Sequence, residues 1–375
     1  MSIIQKKNLW VVTELFPPEE TSTSYILGEI ANAAVSEYNV RVICGPGIYD
    51  TRKKLDVDHP FHLDSSIKVM RAKGLGLDKN TLVGKARSFL AMSRRLYRFA
   101  KCSINEGDKV LLVTNPAPLV LLMSRLRKYR AFELIILVHD VFPENTIPAG
   151  LHLPPLVYKV VKRLFDDAFS HADKLLVIGR DMAEILREKT DKKVKIEIVE
   201  NWGDVDCIHP LPFPKGPIKL EYAGNIGRVQ GLDKLIAEMP NDIELHFYGT
   251  GAMEKTLKQK DLPNVYFHGP FFRSQQEEVL GAAHISIVTL SESMYGLGVP
   301  SKAYNILAAG RPIIYFGPEN GEIGLLIKEH AIGYIGWPDR WDIEELKEMG
   351  IRARRLVESS YSRQIILCKF LNAIR

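Results

Sequence analysis

Short apolar strand patterns alternate with helical patterns twice along this chain, and a proline-rich interruption separates the two series. Few architectures accept such alternation, because parallel strands joined through helices build a sheet covered on both faces. The first series has strand patterns at Asn8–Thr13, Val40–Cys44, Val110–Thr114, Leu134–His139, Lys174–Ile178 and Val194–Val199, and an amphipathic helix over Ser24–Ser36. Between Asn201 and Pro217 no period fits, and four prolines (Pro210, Pro212, Pro214, Pro217) mark a linker. Strand patterns resume at Ile218–Tyr222, Ile243–Tyr248, Val265–His268, Ile285–Thr289 and Pro312–Phe316, and the residues from Asp342 onward read as charged helix. The expected fold is α/β, with two Rossmann-like, doubly wound domains facing each other across a cleft. The first is expected over residues 1–203 and the second over 204–356.

Length and composition agree with this. At 375 residues, 46% of them hydrophobic and 25% charged, the chain can build two ordinary soluble cores. No stretch approaches the roughly 18–20 apolar residues of a membrane span, and the N-terminus lacks a secretory hydrophobic region. Cys44, Cys102, Cys207 and Cys368 show neither disulfide nor metal-ligand spacing, so buried thiols in a reducing cytoplasm are expected and no metal site. The positive charge is one-sided: 31 Lys/Arg face 25 Asp/Glu through Val205, an excess that fits an acidic substrate, an anionic membrane surface or a solvated face. It is too modest and scattered for nucleic acid.

Three segments of the second half carry chemistry. In Tyr222–Gly231 and Leu245–Gly251 a short strand breaks into glycines before a helical pattern begins. Gly224, Asn225 and Gly227 in the first, with Gly249 and Gly251 in the second, allow backbone to approach a ligand, and Arg228 is placed to grip a diphosphate bidentately. In the third, Pro300-Ser301-Lys302 opens a helix that Gly310-Arg311-Pro312 closes. A lysine at a helix's amino end offsets no dipole charge, which makes Lys302 a candidate counter-ion for a bound phosphate. The spacing departs from the dinucleotide fingerprint, which lowers the case for NAD.

In the first half, His139, Asp140 and Glu144 end an apolar strand at the edge that faces ligands in parallel sheets. His139 and Asp140 could position sugar hydroxyls, and Asp140 could act as a base. Glu14 ends the first strand in the same way, and Thr21 and Ser22 before the next helix could cap it or line an acceptor site. Phe89, Leu90, Leu96, Tyr97 and Ala100 recur at helical spacing among Lys85, Arg87, Arg94, Arg95, Arg98 and Lys101. That pattern fits a helix lying on an anionic membrane, or a domain helix with its stripe in the core. Arg125–Arg130 and Lys159–Arg163 add positive charge to the same half.

Taken together, these residues resemble the retaining glycosyltransferases of family 4, which have the GT-B fold. Trp10–Pro18 resembles the family's first strand and Phe-Pro-Pro turn, and His139–Glu144 the His/Gln-Asp-x-x-Pro-Glu segment of the subgroup acting on surface polysaccharides. Glu200–Asp206 resembles its linker, while Tyr222–Gly231 and Val299–Pro312 resemble its Gly-Asn-x-Gly and Pro-Ser-Lys segments. The resemblance implies sugar transfer, with retained configuration, from a nucleoside-diphosphate-sugar co-substrate to a saccharide or a polyprenyl-phosphate-linked acceptor. The second domain would bind the donor, the first the acceptor, and a C-terminal helix at about 357–375 would pack back on the first. No tightly bound cofactor or metal is implied. The expected location is the cytoplasm, with peripheral contact at the inner membrane face.

Two departures stand out. The family's Glu-x7-Glu pair falls on Leu297 and Asn305, leaving Asn305 to hydrogen-bond a ribose hydroxyl, and Gln230 replaces a usual lysine. Two alternatives follow: a sugar-nucleotide 2-epimerase of the same fold, and a non-catalytic donor-binding partner subunit.

Overall fold

The structure, a computed structural model, describes residues 6–47, 60–74, 82–148, 150–151, 153–191, 193–227 and 230–375. The chain divides into two compact units. One comprises residues 1–178, 182–199 and 367–375, and the other residues 179–181 and 200–366.

The first unit follows the order β1 (Asn8–Val12), α1 (Ser22–Ala34), β2 (Asn39–Cys44), β3 (Lys68–Arg71), α2 (Leu82–Ser103), β4 (Lys109–Val113), α3 (Pro118–Tyr129), β5 (Glu133–Val138), α4 (Pro155–Ser170), β6 (Lys174–Val177), α5 (Arg180–Lys189, whose first two residues cluster with the second unit) and β7 (Lys195–Ile198). All seven described strands run parallel in the order β3-β2-β1-β4-β5-β6-β7. β4 is buried along its whole length and β5 along all but its first residue, as expected of central strands covered on both faces. Strand order reverses between β1 and β4, so the crevice at their carboxyl ends is where an open α/β sheet takes ligands. Helix α1 starts two residues earlier than its periodicity suggests, because the Thr21 hydroxyl accepts the Ser24 N–H at 3.2 Å and caps it. In α2, Met92, Leu96 and Ala100 are buried in the core, whereas Leu90 and Phe99 are exposed.

The second unit contains β8 (Lys219–Ala223), α6 (Leu232–Ala237), β9 (Glu244–Tyr248), α7 (Glu254–Lys258), β10 (Val265–Gly269), α8 (Gln276–Gly281), β11 (Ile285–Thr289), α9 (Lys302–Ala308), β12 (Ile313–Phe316), α10 (Glu322–His330), β13 (Gly333–Ile335) and α11 (Ile343–Leu356). Its described strands form a parallel sheet in the order β10-β9-β8-β11-β12-β13, reversing between β8 and β11. Two apolar clusters sandwich it. One is built around Tyr304, Ile313 and Ile323, the other around Leu220, Phe247 and Ile287. The proline-rich stretch is fastened to this unit and does not hang free. The buried Arg311 guanidinium donates to the carbonyls of Leu211, Pro212 and Gly281 and lies 4.5 Å from the Phe213 ring centre.

The last helix, α12 (Arg363–Ile374), starts in the second unit, and its final residues belong to the first. There the Lys109 ammonium donates to the carbonyls of Ile374 and Arg375, and Lys174 to that of Ala373, so two lysines close the carboxyl end of the helix. The expectation of buried thiols holds only for Cys44. Cys102, Cys207 and Cys368 are exposed, since each lies on the outer side of its element or turn.

Candidate functional site

In the second unit the site is assembled from turns that follow β8 and β9 and from the start of α9. After β8 the chain turns at Gly224, whose φ of +138° favours glycine. A Cβ there would stand 3.5 Å from Lys302 Nζ, so this turn and the first residue of α9 face each other directly. Gly249 has φ of +133°, and a Cβ on it would overlap the Gly224 carbonyl oxygen. One on Gly251 would overlap the Ile226 carbonyl. Backbone bonds fasten the two turns: Gly224 N–H to Tyr248 at 2.8 Å, Ile226 N–H to Thr250 at 3.0 Å, and Met253 N–H back to Ile226 at 3.0 Å. Gly249 and Gly251 therefore have a packing role, letting one turn lie on the other. Asn225 is exposed, and its carbonyl accepts the Tyr222 hydroxyl at 2.9 Å. Gly227 leaves no room for a side chain between Asn225 and Gln230. Arg228 lies outside the described residues.

Lys302 has an unusual setting. Part of its stem reaches solvent, but its ammonium is enclosed, has no hydrogen-bond partner, and sits 3.5 Å from the centre of the Tyr222 ring. Burial lowers its pKa to about 8, and the Glu221 charge is the opposing influence. Glu221 is fully buried on β8, its Cα paired with that of Ser286 on β11. Burial raises its pKa to about 7 against the Ser286 hydroxyl and the Lys302 charge. A cation held in a low-dielectric niche at the switch point of the strand order, with no acceptor, is poised for an anion. Glu221 was not singled out from the sequence; an acidic residue inside a strand flanked on both sides in the sheet is the signal that marks it.

Pro300 and Ser301 are half-buried ahead of α9, and the Ser301 side chain makes no capping bond. Asn305 departs from its expected role. Its Oδ1 accepts the Asp204 N–H at 3.0 Å and its Nδ2 donates to Gln276 at 3.2 Å, so the amide anchors the 204 segment rather than facing a ribose.

In the first unit the expected residues gather at the carboxyl ends of β1, β4 and β5. Glu14 is buried just past β1, its N–H donating to the Asn115 carbonyl at 3.1 Å. The Thr114 hydroxyl accepts the N–H groups of His139 (3.2 Å) and Asp140 (3.3 Å), which fixes the turn after β5. His139 Nε2 is enclosed without a partner, and burial lowers the imidazole to about 4, so it is neutral at pH 7. Burial raises Asp140, with a hydrogen bond from Asn145 opposing. Thr21 serves as the α1 cap and Ser22 is exposed beside it. The Glu144 carboxylate is engaged otherwise than expected: Lys189 donates to it at 2.6 Å and Lys162 lies at 3.4 Å, an ion-pair cluster that ties the β5 loop to α4 and α5. Among the described residues, no group of three or more His, Cys, Asp or Glu could hold a metal ion, and no helix is long and apolar enough to cross a membrane.

Comparison with known proteins agrees with this fold. No family model matches the chain. The Pseudomonas aeruginosa protein named "Probable glycosyltransferase WbjE" is 33% identical over 299 residues, covering 72% of this chain and 75% of the relative. Among solved structures, sucrose-phosphate synthase from Thermosynechococcus elongatus superposes with a TM-score of 0.74 at 13% identity, covering 97% of both chains. Anabaena Alr3699/HepE in complex with UDP gives 0.66 at 10% identity, covering 98% of this chain and 99% of that one. Two parallel sheets of the order described and a third of the aligned residues shared with a glycosyltransferase lead to one conclusion: the chain belongs to the family 4 glycosyltransferases and has the GT-B fold.

Proposed function

We propose that this glycosyltransferase moves a sugar, with retention of anomeric configuration, from a nucleoside-diphosphate-sugar to a saccharide or polyprenyl-phosphate-linked acceptor during surface glycan synthesis. The diphosphate is assigned to the second unit, at Gly224, Asn225, Gly227, Arg228 and the Pro300-Ser301-Lys302 segment. The acceptor is assigned to the carboxyl end of the first unit's sheet, near Glu14, His139 and Asp140. UDP-bound Anabaena HepE, a structure of the same fold, supports a nucleotide in such a site. The observation that carries the reading is the enclosed, partnerless Lys302 ammonium beside the Gly224 turn.

In the reaction the anomeric carbon–oxygen bond to the diphosphate breaks as the acceptor oxygen bonds that carbon on the same face. The acceptor proton passes to the departing phosphate oxygen. No enzyme nucleophile is required, and the protein contributes placement and charge. Lys302 and Arg228 stabilise the developing negative charge, and neutral His139 offers a hydrogen bond to a sugar hydroxyl. The first unit's basic excess fits work at the cytoplasmic face of a membrane, where polyprenyl-phosphate acceptors would be held.

The test is a donor screen against a panel of lipid-linked and soluble acceptors, with Arg228→Ala and Lys302→Ala alongside. Loss of a charge-assisted contact should lower kcat/KM at least about a hundredfold in each. Unchanged turnover in both variants would remove the site assignment.

A further inference from the structure

Helix α4 exposes its apolar side chains. Leu156 is 81% exposed, Val160 60%, Leu164 51% and Val157 46%, a single stripe two and a half turns long. The loop leading into it adds Ile147 at 43% and Leu151 at 36%. The opposite side of α4 is anchored by buried Phe165, Ala168 and Phe169, with Phe165 stacked on Phe142 at 5.9 Å. The stripe is therefore a fixed surface of a well-seated helix. Scattered exposed leucines are ordinary, but an aligned row of this kind marks an interaction surface.

Charge indicates what covers it. From Thr146 through Leu164 the sequence contains no Asp or Glu, while Lys159 and Arg163 are exposed beside the stripe one turn apart. The nearest acidic residues on α4, Asp166 and Asp167, are paired with Lys162 one turn earlier on α4 and with Lys189 and Lys128 on neighbouring helices. A twofold contact with a second copy would set Lys159 and Arg163 against their own likeness with no carboxylate to answer them. An anionic lipid interface meets both requirements, since acyl chains accept the stripe and headgroups accept the basic pair. The patch also begins three residues after Glu144, in the segment that carries His139 and Asp140.

We infer that the α4 stripe, with Lys159 and Arg163 at its flank, is the surface by which this enzyme lies in an anionic bilayer, next to the loop that meets its acceptor. The inference rests on the lipid-linked acceptor reading above and adds the surface to it.

The full chain is sedimented with vesicles of phosphatidylcholine alone or with about 30% phosphatidylglycerol, alongside Leu156→Ser/Val160→Ser/Leu164→Ser and Lys159→Gln/Arg163→Gln. The native chain should bind the anionic vesicles. The serine variant should lose about tenfold in partitioning at every salt concentration, and the glutamine variant should lose binding mainly at low salt. Both should keep the native affinity for a nucleoside diphosphate and the native thermal midpoint, because every altered side chain is exposed. Failure of the native chain to bind, or full binding by the serine variant, overturns the inference. So does a dimer in solution that the serine variant abolishes while vesicle binding stays unchanged. Nucleoside-diphosphate affinity reports separately on the donor site, so a native chain that binds donor but no vesicle rejects this surface and leaves the enzymatic reading standing.

Discussion

Binding of a nucleoside diphosphate should be coupled to proton uptake by Lys302. Without ligand, burial holds this lysine at about 8, because its ammonium has no acceptor and only Glu221 for an opposing charge. A diphosphate beside it should return the lysine to its ordinary range, about 10.4 or above. At pH 8.5 the free enzyme then carries a proton on roughly a quarter of its Lys302 side chains and the complex on nearly all, an uptake of about 0.75 proton per site. At pH 7 the same lysine is already about nine-tenths protonated and contributes almost nothing. The sign is fixed: affinity should fall as pH rises from 8 to 10, approaching tenfold per unit. The ligand's own phosphates are fully ionised above pH 8 and do not interfere. The assay is titration calorimetry at pH 8.5 in buffers of low and high ionisation enthalpy, with whichever of UDP, GDP or ADP binds. Lys302→Met should abolish the uptake. A smaller uptake near pH 7 would come from Glu221, raised to about 7; Glu221→Gln should remove that part and lower Lys302 further, since the opposing charge is lost. Equal apparent enthalpies in both buffers at pH 8.5, or uptake that survives in Lys302→Met, would refute the reasoning.

Other outcomes follow from the same geometry. The double variant Lys302→Met/Glu221→Leu should raise the thermal midpoint of the ligand-free protein by a few degrees and abolish donor binding, since two ionisable groups leave a dry niche that apolar atoms then fill; differential scanning fluorimetry with and without ligand measures both. Gly249→Ala places a Cβ on the Gly224 carbonyl in a left-handed conformation, and should cost about 3 kcal/mol in denaturant unfolding as well as donor affinity. Thr21→Ala removes the α1 cap and should cost about 1 kcal/mol, seen as a midpoint lowered by about 2–4 °C with kcat unchanged.

The central strands are legible in the sequence because a parallel strand covered on both faces needs an unbroken apolar run, as in Leu134–Val138. The edge strands are not: Lys68-Val-Met-Arg71 and Gly333-Tyr-Ile335 are too short and too mixed to announce themselves, and only pairing to a neighbour makes them strands. Lys302 is legible because a cation at a helix's amino end is unfavourable without an anion. Glu221 is hidden, since Leu-Glu-Tyr reads as ordinary strand alternation until the sheet order shows β8 flanked on both sides. Asn305 and Glu144 carry residue types suited to a ligand, yet each is engaged by partners far along the chain, Asp204 and Lys189, which no local pattern reveals. The α4 stripe is plain as a pattern, but which side of a helix meets the core depends on where its neighbours lie.

The final nine residues of the chain, Leu367–Arg375, cluster with the first unit, where Lys109 and Lys174 hold the end of α12. A polypeptide leaves the ribosome amino end first, and domains commonly fold in that order. Here the earlier-made half must wait for residues 367–375 before its own architecture is finished, while the later half already has nearly all its parts. A nascent chain stalled just before Leu367 should thus display a protease-resistant second unit and a first unit still open to cleavage.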